Sequence, residues 1–126
     1  MSLLLALLLQ PVAAAPEPAW QSLGVQQGIA TAYDPASVRR EGGHVRVRIR
    51  GALPAPGPDG MAIVTGTLDL DCAAGTATSL DVMGYDAAGH LMLNAIVPAP
   101  ERQARPILPD SPNAAVRDVV CQRQGQ

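Results

Sequence analysis

Val45-Arg46-Val47-Arg48-Ile49-Arg50 alternates apolar and charged side chains without a break. A period of two is the period of a β-strand, whose successive side chains point to opposite faces. Val45, Val47 and Ile49 are therefore expected to face a core, and the three arginines to face water. Such a strand belongs to an antiparallel sheet with one covered and one solvated face.

Working outward, Gly42-Gly43 supplies a tight turn before this strand, and Gly51 to Gly60, with three prolines and three glycines, reads as a loop after it. Upstream, Gly28 to Asp34 is expected to be a first strand, closed by Asp34-Pro35, and Ser37 to Arg40 a second, short one. Downstream, Met61 to Cys72 is a long β-rich run. Leu68, Leu70 and Cys72 fall on one face there, and Thr67, Asp69 and Asp71 on the other. Gly66 marks the expected position of a bulge. Thr76 to Tyr85, with Thr78, Leu80 and Val82 sharing a face, and His90 to Val97, with Leu91, Leu93 and Ala95 alternating, read as a hairpin about the turn Asp86-Ala87-Ala88-Gly89. After a proline-punctuated connection, Ser111-Pro112 reads as an N-cap followed by proline in the first helical position. Val116, Val119 and Val120 then form an apolar helical stripe ending at Cys121. The fold class is α+β, mainly β: an antiparallel sheet of about five to six strands with a C-terminal helix packed on it.

The start of the chain has a different character. Leu3 to Leu9 holds six leucines and one alanine, and Val12-Ala13-Ala14-Ala15 follows after Gln10-Pro11. A short apolar run ending in small residues reads as a secretory signal, too short for a membrane-spanning helix, which needs about 20 residues. Val12 and Ala14 fit the shallow −3 and −1 pockets of signal peptidase, so residues 1–14 are read as the signal and residues 15–126 as one β-rich domain. The segment before the leucines lacks Lys and Arg, which leaves open a start upstream of Met1. No cysteine sits beside the expected cleavage site, so no lipid anchor is expected, and the product is assigned to the periplasm or the exterior.

With one Trp, two Tyr and no Phe, the core must be built from aliphatic side chains, each burying less area than a ring. A small aliphatic core gains from a covalent staple. Two cysteines in an exported chain usually pair, so Cys72 and Cys121 are expected to form a disulfide pinning the helix to a strand end. A CxxC redox pair is excluded by spacing. A zinc site would need both His44 and His90 as well, at spacings that match no finger or ribbon.

The net charge of −2 demands neither a nucleic-acid nor a membrane partner. Asp69-x-Asp71 begins like a calcium loop, but Ala73 follows where a ligand should stand. The two carboxylates read as the solvent face of a strand. His44 and His90 sit beside turns with no Cys, Ser or carboxylate expected nearby in the arrangement a base–nucleophile pair requires, so both read as surface histidines, and no hydrolase or phosphate-binding motif is present. The reading is therefore not an enzyme, and no cofactor or metal is called for. Five of the nine basic residues, all arginine, lie between Arg39 and Arg50. A face carrying Arg46, Arg48 and Arg50 suits an anionic or acidic partner, because guanidinium grips oxyanions bidentately. Solvation beside Asp69, Asp71 and Asp81 is the plainer account of the same residues.

Several short pieces occur together: Trp20; Tyr33-Asp34-x-x-Ser37-Val38; Val45-Arg46-Val47-Arg48; Asp71-Cys72; Tyr85-Asp86-x-x-Gly89; Pro106-Ile107-x-Pro109-x-Ser111; and a helix ending Val120-Cys121. In this order they resemble the surface-adhesin protein E family of small exported domains in Gram-negative bacteria. The resemblance implies a mostly antiparallel sheet whose C-terminal helix is tied down by a disulfide, and adhesins of this type bind host matrix proteins. It carries over no binding residue. The expected function is a non-catalytic cell-envelope protein that binds a macromolecule, either a protein or an anionic envelope component, through a sheet face. The alternative is a periplasmic enzyme inhibitor, like those of lysozyme, that acts through the Pro/Gly loop 54–60.

Overall fold

In the computed structural model, which describes residues 18–122, the alternating stretch forms the centre of a nine-residue strand, His44–Ala52. Val45 and Val47 are 0% and 1% exposed while Arg46 between them is exposed. The expected signal, residues 1–14, and the chain end after residue 122 lie outside the described residues.

The strands are β1 (Gln21–Gln26), β2 (Ile29–Tyr33), β3 (Arg39–Glu41), β4 (His44–Ala52), β5 (Met61–Asp71), β6 (Thr76–Asp86), β7 (Leu91–Ile96) and β8 (Arg105–Pro106), followed by helix α1 (Pro112–Val120). All pair antiparallel in one sheet, along the path β1-β2-β4-β5-β6-β7. β3 shares the outer edge of β4 with β2, and β8 shares the outer edge of β6 with β7. The path has the six strands expected, and the two further strands are short.

One face of the sheet is half covered by α1. Val116 and Val120 pack with Tyr33, Val45, Val47, Leu68, Leu70 and Ala77 in the core, and Leu23, Ile49, Cys72 and Cys121 pack at its margin. Fully burying a Val or Leu side chain contributes roughly 1.5–3 kcal/mol, so a few aliphatic residues carry this core without phenylalanine. The helix begins as its sequence predicts: Ser111 Oγ accepts from the Ala114 amide at 3.1 Å, and Pro112 fills the first turn. Cys121 caps its C-terminal end and is bonded to Cys72, which directly follows β5, with the two Cα atoms 5.7 Å apart. The disulfide thus joins the sheet to the helix end.

Local structure differs from the sequence reading in three places. β1 was not expected, because Gln-Ser-Leu-Gly-Val-Gln has no alternating pattern and no buried residue. Backbone pairing to β2 holds it, through a two-residue turn in which Gln27 and Gly28 both take positive φ, 53° and 80°. The segment Ser37 to Arg40 is not one strand. A 3-10 turn covers Pro35–Ser37, capped by Asp34, whose Oδ1 accepts from the Ala36 amide at 3.0 Å, and β3 begins only at Arg39. The bulge expected at Gly66 lies across from it in β6, where Thr67 faces Asp81 but Leu68 faces Ser79, leaving Leu80 as the extra residue. That insertion resets the alternation, so Ala77 and Leu80 are buried, not Thr78, Leu80 and Val82 together. The hairpin of β6 and β7 forms as expected, and the leucines of β7 lie outside the core: Leu91 and Leu93 are 54% and 41% exposed on an edge strand.

Candidate functional site: the outer face of the sheet

Paired residues in an antiparallel sheet share a face, so the register places the charged side chains. Along β4, His44, Arg46, Arg48 and Arg50 point away from the helix, opposite Asp71, Asp69, Thr67 and Thr65 of β5. β6 continues the same face with Thr78, Asp81, Met83 and Tyr85. β3 adds Arg39 beside Arg46, while Arg40, beside Val45, turns to the helix side near Val119 and Val120.

The turn between β2 and β3 fixes this row. The Asp34 amide donates to the Arg48 carbonyl at 3.0 Å, and the Arg48 amide donates to Ser37 Oγ at 2.8 Å. Ser37 Oγ in turn donates to the Asp34 carbonyl at 2.7 Å. The Tyr33-Asp34-x-x-Ser37-Val38 motif therefore holds both polar backbone groups of Arg48, which no short-range pattern in the sequence discloses.

The row is not uniformly positive. Arg46 Nε lies 3.5 Å from Asp69 Oδ2, and Arg48 Nη1 lies 3.7 Å from Asp81 Oδ1 and 3.3 Å from Thr67 Oγ1. At the β3 end, His44 Nδ1 meets Asp69 Oδ1 at 2.7 Å and its Nε2 approaches Asp71 Oδ2 at 3.8 Å. The carboxylates on the solvent face of β5 thus serve as cross-strand partners. Exposed pairs of this kind contribute about 0–1 kcal/mol each; their effect here is to decide where net charge is left. Among the described residues, Arg50 has no carboxylate within ion-pair distance, so unbalanced positive charge collects at the Arg50 end of the row.

The hydrogen bond from His44 to Asp69, and then the negative charge of Asp69, raise the His44 pKa above its usual 6.5. A group with a raised folded-state pKa contributes stability below its unfolded value, and that contribution fades as pH rises through the higher folded value. The charge-assisted form of the His44–Asp69 contact is therefore expected to outlast pH 6.5, the ordinary histidine value, and to weaken only as pH rises through the higher folded-state value. An NMR titration of the His44 ring should show a midpoint above 6.5 that Asp69→Asn returns towards the ordinary value. A midpoint unmoved by that substitution would refute the pairing.

The second histidine, His90, sits in the β6–β7 turn with Nδ1 3.1 Å from Asp86 Oδ2. Asp86 Oδ1 also accepts from the Ala88 and His90 amides, and the hydrogen bond from the His90 backbone is the main reason its pKa lies below 3.8. Both histidines thus have carboxylate partners, found only once the register and the turn are known. Neither imidazole hydrogen-bonds a serine, threonine or cysteine side chain among the described residues, so neither pair is coupled to a nucleophile. No group of three or more His, Cys, Asp or Glu placed to hold a metal ion occurs among the described residues. No helix among them is long and apolar enough to cross a membrane. The loop between β4 and β5 is closed by its own backbone: the Gly57 amide donates to the Met61 carbonyl at 2.9 Å and the Gly60 amide to the Gly57 carbonyl at 2.8 Å.

Comparison with known proteins bears on the whole of this architecture. No curated protein matches the chain. Among solved structures, crystal form II of Haemophilus influenzae protein E superimposes with a TM-score of 0.56 at 19% identity, covering 92% of this chain and all of that one. Protein E from non-typeable Haemophilus influenzae gives 0.56 at 17% identity, covering 93% of this chain and 84% of that one. At such identities the likeness establishes a shared fold. The family model for surface-adhesin protein E matches residues 20–122, from the Trp at the edge of the outer face to the residue after the bridged Cys121. The chain belongs to the surface-adhesin protein E family, a family of surface adhesins rather than enzymes.

Proposed function

We propose that this protein is an exported, non-catalytic binding protein that engages a macromolecular partner through the outer face of its sheet. The observation that carries the reading is the division of labour between the two faces. One is occupied by the helix and the core, while the other presents Arg46, Arg48 and Arg50 in a single row whose backbone is fixed by the Asp34–Ser37 turn. A backbone already held in place at Arg48 loses little freedom on binding, which favours affinity. The partner it suits is an acidic protein surface or an anionic component of the envelope or matrix, and membership of an adhesin family agrees with that role.

The test is charge reversal. Binding of the full chain to immobilised extracellular-matrix protein, measured by surface plasmon resonance, is expected to weaken at least about tenfold in Arg46→Glu with Arg48→Glu, since removing one partner of a charge pair that becomes buried in an interface typically costs about 2 kcal/mol or more. The loss should shrink as salt is raised. Binding that survives the double reversal with an unchanged melting temperature would remove the arginine face from the reading.

A further inference from the structure

The Arg50 end of the row opens into a hollow of about 550 Å³, within the range of small-molecule sites. Trp20, Arg48, Arg50, Ile63, Thr65 and Tyr85 line it. We propose that this hollow binds a sugar ring carrying one negatively charged group, a carboxylate or a sulfate. The proposal rests on the reading of the outer face as a binding surface, and gives that surface a ligand chemistry.

The placement of aromatic residues is the first support. The chain has one Trp and two Tyr. Tyr33 is 3% exposed in the core, so the other two aromatic side chains both line this one hollow. Flat rings with one apolar body and one polar edge suit the apolar C–H face and the hydroxyls of a sugar. Tyr85 donates its hydroxyl hydrogen only to the Met83 sulfur, at 3.3 Å, a weak acceptor. Its oxygen remains able to accept from a sugar hydroxyl.

The second support is an orphaned polar group. Thr65 is 7% exposed, and its Oγ1 is buried without a hydrogen-bond partner. Buried polar atoms are normally paired, and a ligand oxygen would satisfy this one. Thr65 lies directly opposite Arg50 in the register, and Ala32 stands on the other side of Arg50. Arg50, Trp20 and Tyr85 thus line the same hollow as this hydroxyl.

Charge selects among anions. Arg48 is already engaged with Asp81 and Thr67, and Asp69 and Asp71 continue the same face. A polyanion such as a nucleic acid would run from Arg50 onto these carboxylates, and the chain as a whole carries −2. A ligand with one charged group and otherwise neutral hydroxyls suits this placement: its anion meets Arg50, and nothing charged on it has to run past Arg48 onto the carboxylates.

Trp20 is the only tryptophan, so intrinsic fluorescence of the full chain reads this hollow directly. Titration with methyl β-D-glucuronide tests the carboxylate source and galactose 6-sulfate the sulfate source, with methyl β-D-glucoside, galactose and inorganic sulfate as controls. A saturable change in emission is expected with at least one charged sugar, at least tenfold weaker with its neutral parent, and reduced about tenfold by Arg50→Gln at an unchanged melting temperature. Equal responses to charged and neutral sugars, a response to inorganic sulfate matching that to the sugars, or no saturable response would each overturn the proposal. Failure here is distinguishable from failure of the broader reading. Absence of a saturable sugar response, with matrix binding still abolished by Arg46→Glu with Arg48→Glu, would keep the binding face and discard the sugar site.

Discussion

Replacing both Cys72 and Cys121 by serine is expected to lower the melting temperature by roughly 20 °C. Closing a loop whose ends are 49 positions apart lowers the entropy of the unfolded chain by an amount worth about 4 kcal/mol in the chain-entropy model. A domain of this size shifts its melting point by roughly 4–8 °C for each kcal/mol. The native state gives a local reason to expect an effect of this order. The helix has nine residues, short of the roughly 12–15 at which an isolated helix becomes even marginally stable. It is held by Val116, Val120 and the bridge, so its far-UV signal should be lost before that of the sheet. Thermal melts followed by circular dichroism check both statements, and a double variant melting within a few degrees of the parent would contradict them.

Gly66→Val is expected to destabilise the fold by about 3 kcal/mol, the upper part of the usual range for overpacking. Strand propensity alone predicts the opposite sign, since valine is favoured and glycine disfavoured inside strands. The position decides against propensity. A Cβ at Gly66 would lie 2.5 Å from the Asp81 carbonyl oxygen and 3.7 Å from the Val82 Cα, and backbone cannot rotate aside as a side-chain tip can. The close approach lies next to the bulge at Leu80. Moving β6 away would also displace Asp81, whose Oδ1 accepts from the Thr67 amide at 3.1 Å and lies beside Arg48. Urea unfolding gives the magnitude; a variant as stable as the parent would mean that the strands can separate here at little cost.

These two sites also show what a sequence can and cannot disclose. β4 was legible because its two faces meet different solvents, and alternation records that directly. The helix was legible because capping is a local transaction among Ser111, Pro112 and Ala114. The bridge followed from two cysteines in a chain read as exported. The bulge was not legible: Gly66 marks a close approach, but which of two paired strands carries the extra residue depends on register. The same holds for His44 and Asp69, 25 positions apart, whose meeting is set by the β4–β5 pairing. β7 was legible as a strand from its alternation, though not as an edge strand that leaves its leucines exposed, and β1 was silent because β2 holds it by backbone hydrogen bonds. The arginine row was visible as a pattern. Its gradient of charge, from the compensated His44 end to the Arg50 end, depended on partners from two other strands.

The Cys72–Cys121 bond also determines how the molecule would carry a mechanical load. Tension applied to the two ends of the described chain passes along β5 and crosses the sulfur–sulfur bond to the end of α1. β6, β7, β8 and α1 lie within the covalent loop and off that path. Pulling therefore draws out β1 to β5 while the residues between the cysteines cannot lengthen the chain. The hollow straddles this boundary, with Trp20, Arg48 and Arg50 on the loaded side and Tyr85 on the shielded side. Force would open it from the Trp20 flank, so load on the chain would weaken whatever the hollow holds.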